Sequence, residues 1–238
     1  REASFYGTAV KALVIPDNVS LIGKYAFKNC MELQSVVMPD ALRKIDDSAF
    51  YACSKLTELS LPQNLTSICA YAFRKCTGLQ SVSFPEGLNL IGESSFYGCT
   101  ALRELVIPQG VTLIDAYAFK GCENVVSVSL PSTLERIGES AFYGCVLLTQ
   151  ITIPESVTEI GDYAFSRCSY LIKVVFNGDM PLIRANSFKS VTADCYYPAG
   201  NETWTEEGRI SYGGELIWEA YTGSVESDSE ANPEDAAA

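Results

Sequence analysis

Cysteine is the reactive residue whose spacing along this chain is most regular. Of nine cysteines in 238 residues, seven recur every 23 positions, at Cys30, Cys53, Cys76, Cys99, Cys122, Cys145 and Cys168. No chelating motif spaces its ligands in this way. Thiols of repeats stacked ~4.8 Å apart also lie slightly too far apart for a relaxed disulfide, whose Cβ atoms are ~3.8 Å apart. We therefore expect a ladder of reduced, buried thiols. Cys69 and Cys195 lie outside it, and Cys69 is expected at a partly exposed turn.

Other side chains that support catalysis or metal binding are absent or poorly placed. The chain has no histidine, which removes the commonest general base and metal ligand. Three pairs of carboxylates are close in sequence: Asp46 with Asp47, Glu206 with Glu207, and Asp228 with Glu230. Each pair is expected on a solvated turn, cap or tail. No calcium-binding loop and no glycine-rich phosphate loop is present. The sequence therefore predicts no enzyme, no metal site and no cofactor.

The charge of the chain narrows the classes of partner. A net charge of −12 at pH 7 argues against binding to nucleic acid or to an anionic membrane surface. No apolar run approaches the length of a membrane span, and no signal peptide is evident at Arg1. Residues 223–238 hold five acidic residues and no large apolar residue after Val225. We expect this segment to be a disordered acidic tail or a linker.

The elements that position these side chains follow the same 23-residue period. Phenylalanine recurs at Phe27, Phe50, Phe73, Phe96, Phe119, Phe142, Phe165 and Phe188, and proline at Pro16, Pro39, Pro62, Pro85, Pro108, Pro131 and Pro154. A fixed period of this length is typical of a solenoid, in which each repeat forms one coil stacked on the next. The sequence therefore predicts one array of about eight coils over residues 1–190.

Each repeat predicts two short extended segments joined by turns. The LxxLxLP stretch ends in period-2 alternation and is rich in β-branched residues, so we expect a strand that the proline ends. The VxxI stretch predicts a second extended segment on the opposite wall. A column of mostly glycine and aspartate, such as Gly23 and Asp46, predicts a turn with positive φ in some coils. Each phenylalanine should fill the coil interior. The return path is expected to be short 3₁₀ or irregular turns.

These motifs resemble the BspA-type leucine-rich repeats. The signature LxxLxLPxxLxxIGxxAFxxC matches residues from Val125 to Cys145 and from Leu148 to Cys168, with valine or other aliphatic residues at some leucine positions. The resemblance covers roughly residues 1–190. It implies a leucine-rich-repeat solenoid of the α/β horseshoe class, predominantly β with short 3₁₀ turns and with a parallel sheet on one face. It also implies a surface or secreted protein of gut or oral bacteria or mucosal protists, linked to adhesion and without catalytic residues.

Residues 191–222 break the period and are similar to the caps that close such arrays. A cap would cover the unpaired edge and the apolar side chains of the last coil. We expect a strand near Cys195–Tyr197, a short helix near Glu202–Ile210 and a closing strand at Glu215–Tyr221. Trp204 and Trp218 are expected to pack on the last coil.

The outward positions of the predicted sheet are the best candidate for a partner-binding face. The residues are Gln34, Val37, Glu58, Ser60, Gln80, Ser83, Arg103, Val106, Ser127, Ser129, Gln150 and Thr152. A flat, nearly neutral surface of this kind can dock a protein through many weak contacts. The same residue types also simply suit a parallel sheet. A second candidate is a tyrosine column in alternate coils, Tyr25, Tyr71, Tyr117 and Tyr163, with Ser48, Ser94 and Ser140 between; it could instead cover a coil edge.

Two functions remain open at this point. The first is a non-catalytic adhesion or protein-interaction module that binds a host extracellular protein or surface glycoprotein, without membrane insertion and as a monomer. The alternative is a structural spacer that presents neighbouring modules of a longer surface protein. The location at the cell surface or outside the cell is implied by the family resemblance alone.

Overall fold

A computed structural model of the chain describes residues 2–223, which form eighteen strands and no helix. The strands of one wall, called the sheet wall, are β1 (Ala12–Val14), β3 (Ser35–Val37), β5 (Glu58–Ser60), β7 (Ser81–Ser83), β9 (Glu104–Val106), β11 (Ser127–Ser129), β13 (Gln150–Ile153), β15 (Lys173–Phe176), β17 (Thr192–Pro198) and β18 (Glu215–Tyr221). The strands of the opposite wall, called the back wall, are β2 (Leu21–Ile22), β4 (Lys44–Ile45), β6 (Ser67–Ile68), β8 (Leu90–Ile91), β10 (Leu113–Ile114), β12 (Arg136–Ile137), β14 (Glu159–Ile160) and β16 (Leu182–Ile183).

The two walls wind into a parallel solenoid of about nine turns, which confirms the predicted fold class. The back wall is one continuous sheet of eight parallel strands. Its register advances by one repeat at each step, so that Ile45 lies beside Ile68 and Ile68 beside Ile91. Equivalent residues of successive repeats therefore form straight columns along the array.

The phenylalanine column forms the centre of the core. Every ring from Phe50 to Phe188 is fully buried. Neighbouring rings are stacked with centroids 5.1–5.6 Å apart and planes within 15° of each other. This distance matches the spacing of stacked coils, so each ring packs on the ring above and the ring below.

The return path is a series of turns because its N–H groups alternate between two kinds of partner. Lys28 N donates to Tyr25 O at 3.1 Å within the coil, whereas Phe27 N donates to Ala49 O of the next coil at 2.7 Å. A 3₁₀-helix would keep both bonds inside its own coil. One left-handed column is the tyrosine or serine two positions after the glycine and aspartate column, with φ of 52–60° from Tyr25 to Tyr163. A second lies four positions further on, with φ of 57–72° from Asn29 to Ser190. The prediction of positive φ in the glycine and aspartate column itself, as at Gly23, was wrong.

Where this column holds glycine, the glycine permits close stacking instead. A Cβ added to Gly161 would lie 2.6 Å from Glu139 N and from the Gly138 carbonyl carbon of the preceding coil. Distances below 3.0 Å are essentially never found for real Cβ atoms. The backbones of Gly161 and the preceding coil are therefore in close contact.

From β1 to β13 the hydrogen-bonded ladder of the sheet wall is interrupted at every second coil, whereas β13, β15, β17 and β18 form one continuous ladder. Within residues 2–223, β1 pairs with β3, β5 with β7 and β9 with β11, while β3 and β5, β7 and β9, and β11 and β13 share no ladder. The inward side chains alternate in step, since Leu59 and Leu105 are buried and Val82 and Val128 are half-buried. We call two coils joined by a ladder a coil pair and the interruptions seams. The structural unit is thus two repeats, or 46 residues.

The cap extends the sheet wall with two longer strands. Strand β18 spans Glu215–Tyr221, as predicted, and β17 includes the predicted strand at Cys195–Tyr197. Trp204 packs on Phe176 of the last regular strand with centroids 4.8 Å apart, and Trp218 does so at 5.8 Å. The predicted helix at 202–210 was wrong. That segment forms isolated turns because it lies against the array, where Gly208 leaves room for the Met180 side chain.

Residues 224–238 of the predicted acidic tail lie outside the described residues. In the part of the chain that is described, no helix is long and apolar enough to cross a bilayer.

One buried hydroxyl gives a test of the core. Ser95 Oγ is the single buried side-chain oxygen or nitrogen among the described residues that lacks a hydrogen-bond partner, and other coils place Ala72 and Ala118 in the same column. We expect Ser95→Ala to raise the free energy of unfolding by ~1 kcal/mol, because the desolvation cost of the hydroxyl is removed. Ser187→Ala should lower it by a similar amount, since Ser187 Oγ donates to Gly161 O at 2.8 Å. Urea unfolding of both variants would measure this. A less stable Ser95→Ala would contradict the assignment.

Candidate partner-binding face

The outward side chains of the sheet wall point away from the core into solvent. In β9, for example, Glu104 and Val106 are exposed and Leu105 between them is buried. All twelve predicted face residues are exposed: Gln34, Val37, Glu58, Ser60, Gln80, Ser83, Arg103, Val106, Ser127, Ser129, Gln150 and Thr152. Nine lie within strands β3 to β13, and the other three directly precede β3, β7 and β9. The structure therefore brings all twelve onto one face across six neighbouring strands.

Two grooves open on this face at the seams. A groove of about 420 Å³ at the β11–β13 seam is lined by residues that include Ser127, Ser129, Gln150, Thr152 and Lys173. A groove of about 430 Å³ at the β7–β9 seam is lined by residues that include Gln80, Ser83, Arg103, Glu104 and Val106. Eight of the twelve predicted residues line one groove or the other. The alternation of leucine and valine in the inward columns is the sequence signal that could have located these seams.

The thiols form the ladder expected from their spacing. All nine cysteines are free and buried. Each ladder thiol donates to the carbonyl oxygen of the phenylalanine in the preceding coil, as Cys53 Sγ does to Phe27 O at 3.2 Å. The expected exposure of Cys69 was wrong. Cys69 is only 9% exposed, and its Sγ and the carboxylate oxygens of Asp46 and Asp47 lie within 4.8 Å of one another.

Burial of the thiols predicts that stability falls in alkali. Burial raises the pKa of Cys122, Cys168 and Cys195 to about 12. An unfolded thiol ionises near pH ~8.5, so above that pH the unfolded state loses protons that the folded state keeps. The thiol contribution to the free energy of unfolding should therefore be constant below pH ~8 and fall by ~2 kcal/mol for each such thiol by pH ~10. Urea unfolding across this pH range measures the effect.

Thiol titration supplies the control for that prediction. The folded chain at neutral pH should leave its thiols unreactive, and the denatured chain should give nine. Fewer than nine in denaturant would contradict the reduced ladder.

The Asp46, Asp47 and Cys69 cluster is already balanced by lysines. Lys24 Nζ lies 2.8 Å from Asp47 Oδ2, and Lys44 Nζ lies 3.4 Å from Asp46 Oδ1. The arrangement is thus a network of ion pairs at the surface of the back wall. Of the other predicted carboxylate pairs, Glu206 and Glu207 are exposed on the cap, and Asp228 with Glu230 lies outside the described residues.

A charged groove of about 370 Å³ also lies on the back wall. Each of its carboxylates has a hydrogen-bond or ion-pair partner within the chain. It is lined by residues that include Asp115, Glu139, Glu159, Asp162 and Arg184. Glu159 pairs with Arg184 Nη2 at 2.7 Å, Glu139 accepts the Tyr117 hydroxyl, and Asp162 accepts Asn186 N at 3.0 Å. Asp115 accepts Ala116 N at 2.7 Å. Because each carboxylate has an internal partner, the groove does not present the paired acid and base of a hydrolase.

The tyrosine column forms part of a ladder with cations. In the coil pairs β1–β3, β5–β7 and β9–β11 a lysine or arginine lies between a tyrosine of its own coil and a tyrosine of the next. Arg74 Cζ lies 5.6 Å from the centroid of Tyr71 and 3.9 Å from that of Tyr97. The Tyr71 hydroxyl donates to Glu93 at 2.7 Å. These contacts cover the tyrosine faces and supply cation–π attraction between coils. The arrangement supports the role of a coil-edge cover.

Comparison with known protein families identifies the same type of repeat as the sequence analysis. The family model described as BspA type Leucine rich repeat region matches residues 1–124 and 89–197, in 6 copies. The search of curated proteins found no match.

Among solved structures, a leucine rich repeat protein of T. pallidum is 32% identical over 62% of this chain and 69% of its own, with a TM-score of 0.58. A leucine-rich repeat protein of Eubacterium ventriosum is 27% identical over 67% of this chain and 43% of its own, with a TM-score of 0.63. The pneumococcal vaccine antigen PcpA shares the fold at 18% identity over 91% of this chain and 70% of its own, with a TM-score of 0.52.

Proposed function

Because the chain belongs to the BspA-type leucine-rich repeat family, we propose that it is a non-catalytic adhesion module that binds a host extracellular protein or surface glycoprotein. Repeat scaffolds of this family supply rigid surfaces for protein interaction and are generally not enzymes. The proposal places the chain at the surface of a bacterial cell or outside it. It takes the partner-binding surface to be the sheet wall, and the chain to act as a monomer.

The single observation that carries the proposal is the exposed, ordered face of the sheet wall. Val37 and Val106 are 59% and 67% exposed there, although they belong to strands whose intervening residues face the core. Polar side chains that can both donate and accept hydrogen bonds surround them, such as Ser83 and Ser129. A rigid surface of this composition loses little conformational entropy on binding, which favours affinity. The grooves at the two seams add concave places for side chains of a partner.

The charge of this face fits a protein partner better than a nucleic acid. Glu58 and Glu104 are exposed in neighbouring coil pairs and Arg103 is exposed beside Glu104. A mixture of both signs on a small polar surface is typical of the rim of protein interfaces. A phosphate backbone would instead require a continuous row of cations.

The second candidate function is a spacer between neighbouring modules of a longer surface protein. The continuous core favours it, because the stacked phenylalanines make a stiff rod. A spacer does not need the grooves at the seams, and a binding module does.

The test is binding of the purified chain to an array of host matrix proteins, mucins and glycans at physiological salt. The matched variant carries Ser83→Lys, Arg103→Glu, Val106→Lys and Ser129→Glu, all at exposed positions of the sheet wall. These changes should leave the melting temperature nearly unchanged, since surface substitutions usually shift stability by less than ~0.5 kcal/mol each. We expect at least one array component to bind the chain and to lose affinity by more than ~10-fold for the variant.

Two outcomes would contradict the adhesion proposal. Retention of the same affinity by the variant would exclude the sheet wall as the binding face. Absence of any array binding, with both proteins equally folded, would favour the spacer.

A further inference from the structure

Strand β18 forms the carboxyl-terminal edge of the sheet wall. It pairs with β17 along one side, in a parallel register that places Thr192 beside Glu215 and Pro198 beside Tyr221. Within residues 2–223, no strand pairs with the other side of β18. An edge strand presents its backbone N–H and C=O groups to other polypeptides. The cap therefore extends the sheet wall but leaves it with an open side.

The hydrogen bonds to β17 show which backbone groups of β18 lie on the open side. Glu215 N donates to Val191 O at 2.8 Å. Ala199 N donates to Tyr221 O, also at 2.8 Å. In a parallel ladder every second residue directs its N–H and C=O to the same neighbour, so the odd-numbered residues of β18 face β17. The even-numbered residues direct theirs to the open side, and we call these groups the free edge: Leu216, Trp218 and Ala220.

The free edge is a regular template for one more strand. Natural sheets protect an edge with very short strands, proline, lysine or bulges. Strand β18 has seven residues, whereas the strands from β1 to β11 on this wall have three, and it holds neither proline nor lysine. All seven residues keep their register with β17, so no bulge interrupts the strand. Addition of an extended segment to such an edge is a common mode of peptide recognition.

The side chains of β18 limit which strand can be added. Leu216 and Trp218 pack against the core. On the solvent side Glu215, Ile217 and Glu219 are exposed, and Ile217 is 59% exposed. An added strand places its own side chains directly opposite these three, where opposite charges stabilise the pairing and like charges destabilise it. The pattern therefore favours a cation opposite each glutamate and an aliphatic residue opposite Ile217.

The charges of the cap also favour a cationic partner. Residues 191–223 hold one cation, Arg209, which lies over the Tyr197 ring. They hold six acidic residues: Asp194, Glu202, Glu206, Glu207, Glu215 and Glu219. The cations that shortly precede the cap already have partners. Lys173 and Lys189 lie over tyrosine rings, and Arg184 pairs with a glutamate of the back wall.

We propose that the free edge of β18 binds an extended segment of another polypeptide as an added strand. The segment has lysine or arginine opposite Glu215 and Glu219 and an aliphatic residue opposite Ile217. This pattern reads the same in both directions, so a parallel and an antiparallel strand can both satisfy it. The free edge contains none of the twelve residues of the sheet-wall face, so the proposal does not depend on the function proposed above.

Two other occupants complement the free edge less well. A second copy of the chain would bring two acidic caps together, and like charges across an interface repel. Residues 224–238 of the chain itself hold five carboxylates and no cation, so they would place acidic side chains near Glu215 and Glu219.

The test measures binding of short fluorescein-labelled peptides to the whole chain by fluorescence anisotropy. The lysine peptide has the sequence Lys–Thr–Ile–Thr–Lys with a threonine at each end, and the glutamate peptide replaces both lysines. We expect the lysine peptide to bind at least ~10-fold more tightly. Its affinity should fall as salt rises, because exposed charge pairs are screened.

Methylation of peptide nitrogens separates strand addition from simple attraction between charges, because it removes N–H donors and keeps the charge. An antiparallel strand donates to the free edge through the threonines between lysine and isoleucine, and a parallel strand donates through the lysines and the isoleucine. Two lysine peptides carry methyl groups at one set or the other. One of them should bind at least ~10-fold less tightly than the unmethylated peptide, and that one identifies the strand direction.

Variants of the chain locate the peptide. Ala220→Pro removes one N–H of the free edge and none that faces β17, and should lower affinity by ~10-fold or more. Glu215→Gln with Glu219→Gln should lower the affinity for the lysine peptide and flatten its salt dependence. The matched control, Glu206→Gln with Glu207→Gln, removes two exposed charges of the cap outside β18 and should leave affinity nearly unchanged. The melting temperature of each variant verifies that it is folded.

Several results would overturn the proposal. These are equal binding of the lysine and glutamate peptides, equal binding of the methylated and unmethylated peptides, and absence of binding by the lysine peptide up to about 1 mM. A dimer of the chain in sedimentation equilibrium that Ala220→Pro converts to a monomer would assign the free edge to a second copy instead.

Discussion

Phe119→Ala lowers the free energy of unfolding by ~3–5 kcal/mol, the largest loss we expect from a single substitution in the array. The Phe119 ring is fully buried and stacks on Phe96 at 5.5 Å and on Phe142 at 5.6 Å. Alanine would leave a cavity that the backbone cannot close, because the walls are fixed by hydrogen bonds to both neighbouring coils. For a chain of this size the melting temperature should fall by ~6–20 °C, which differential scanning calorimetry would measure.

Phe5→Ala is the matched control for this prediction. Phe5 stacks on Phe27 at 5.2 Å but is 47% exposed, so half of its surface is already in contact with water. Its removal should cost less than ~1.5 kcal/mol, in proportion to the smaller area that is buried. Equal losses for the two variants, or an unchanged melting temperature for Phe119→Ala, would contradict the inward assignment of the column.

Trp204→Ala should expose the carboxyl-terminal end of the solenoid to solvent and lower the free energy of unfolding by ~3–5 kcal/mol. The indole is 4% exposed and lies 4.8 Å from Phe176, 5.4 Å from Tyr197 and 5.5 Å from Trp218, measured between ring centroids. Its Nε1 donates to Gly178 O at 3.0 Å, and that carbonyl would keep only the longer bond from Asn201 Nδ2 at 3.5 Å. Hydrogen exchange should show loss of protection in β17 and β18 first, because, within residues 2–223, β18 pairs only with β17, and β17 pairs otherwise only with β15.

Trp204→Phe separates the ring contacts from the hydrogen bond. It keeps an aromatic ring against Phe176 and removes only the indole N–H, so it should cost ~1–2 kcal/mol. If Trp204→Ala reduced protection evenly along the whole array, the cap would not unfold as a separate unit and the prediction would be wrong.

The period of the sequence was sufficient to predict the coils, the inward columns and the exposure of the candidate partner-binding face. A period assigns every residue of one coil to the same environment as its equivalents, so seven copies reinforce each assignment. Leu102 and Phe142, for example, are fully buried as their columns required. The closing strand at Glu215–Tyr221 was also predictable, because residues of high β-propensity, Ile217, Trp218 and Tyr221, lie there.

The parts that could not be predicted depend on contacts between coils. The positive φ of Tyr117 follows from the N–H bond that it makes to Glu139 O of the next coil at 2.8 Å, which no propensity scale describes. The turns at 202–210 replaced a helix because Trp204 and Gly208 pack against the array, and tertiary contacts override local propensity. The seams required a comparison of odd with even repeats, since any single repeat contains no sign of them.

The two coils of a coil pair differ from each other at equivalent positions, so the two kinds of coil alternate along the array. Removal of one coil would place two coils of the same kind side by side. A cation would then face another cation where Arg74 now faces Tyr97. Two inward leucines would likewise be neighbours where Leu59 now lies beside Val82. Removal of two coils would restore the original sequence of neighbours. In the coils from β1 to β11, a change of length by one repeat therefore creates such mismatches, whereas a change by two repeats, or 46 residues, does not.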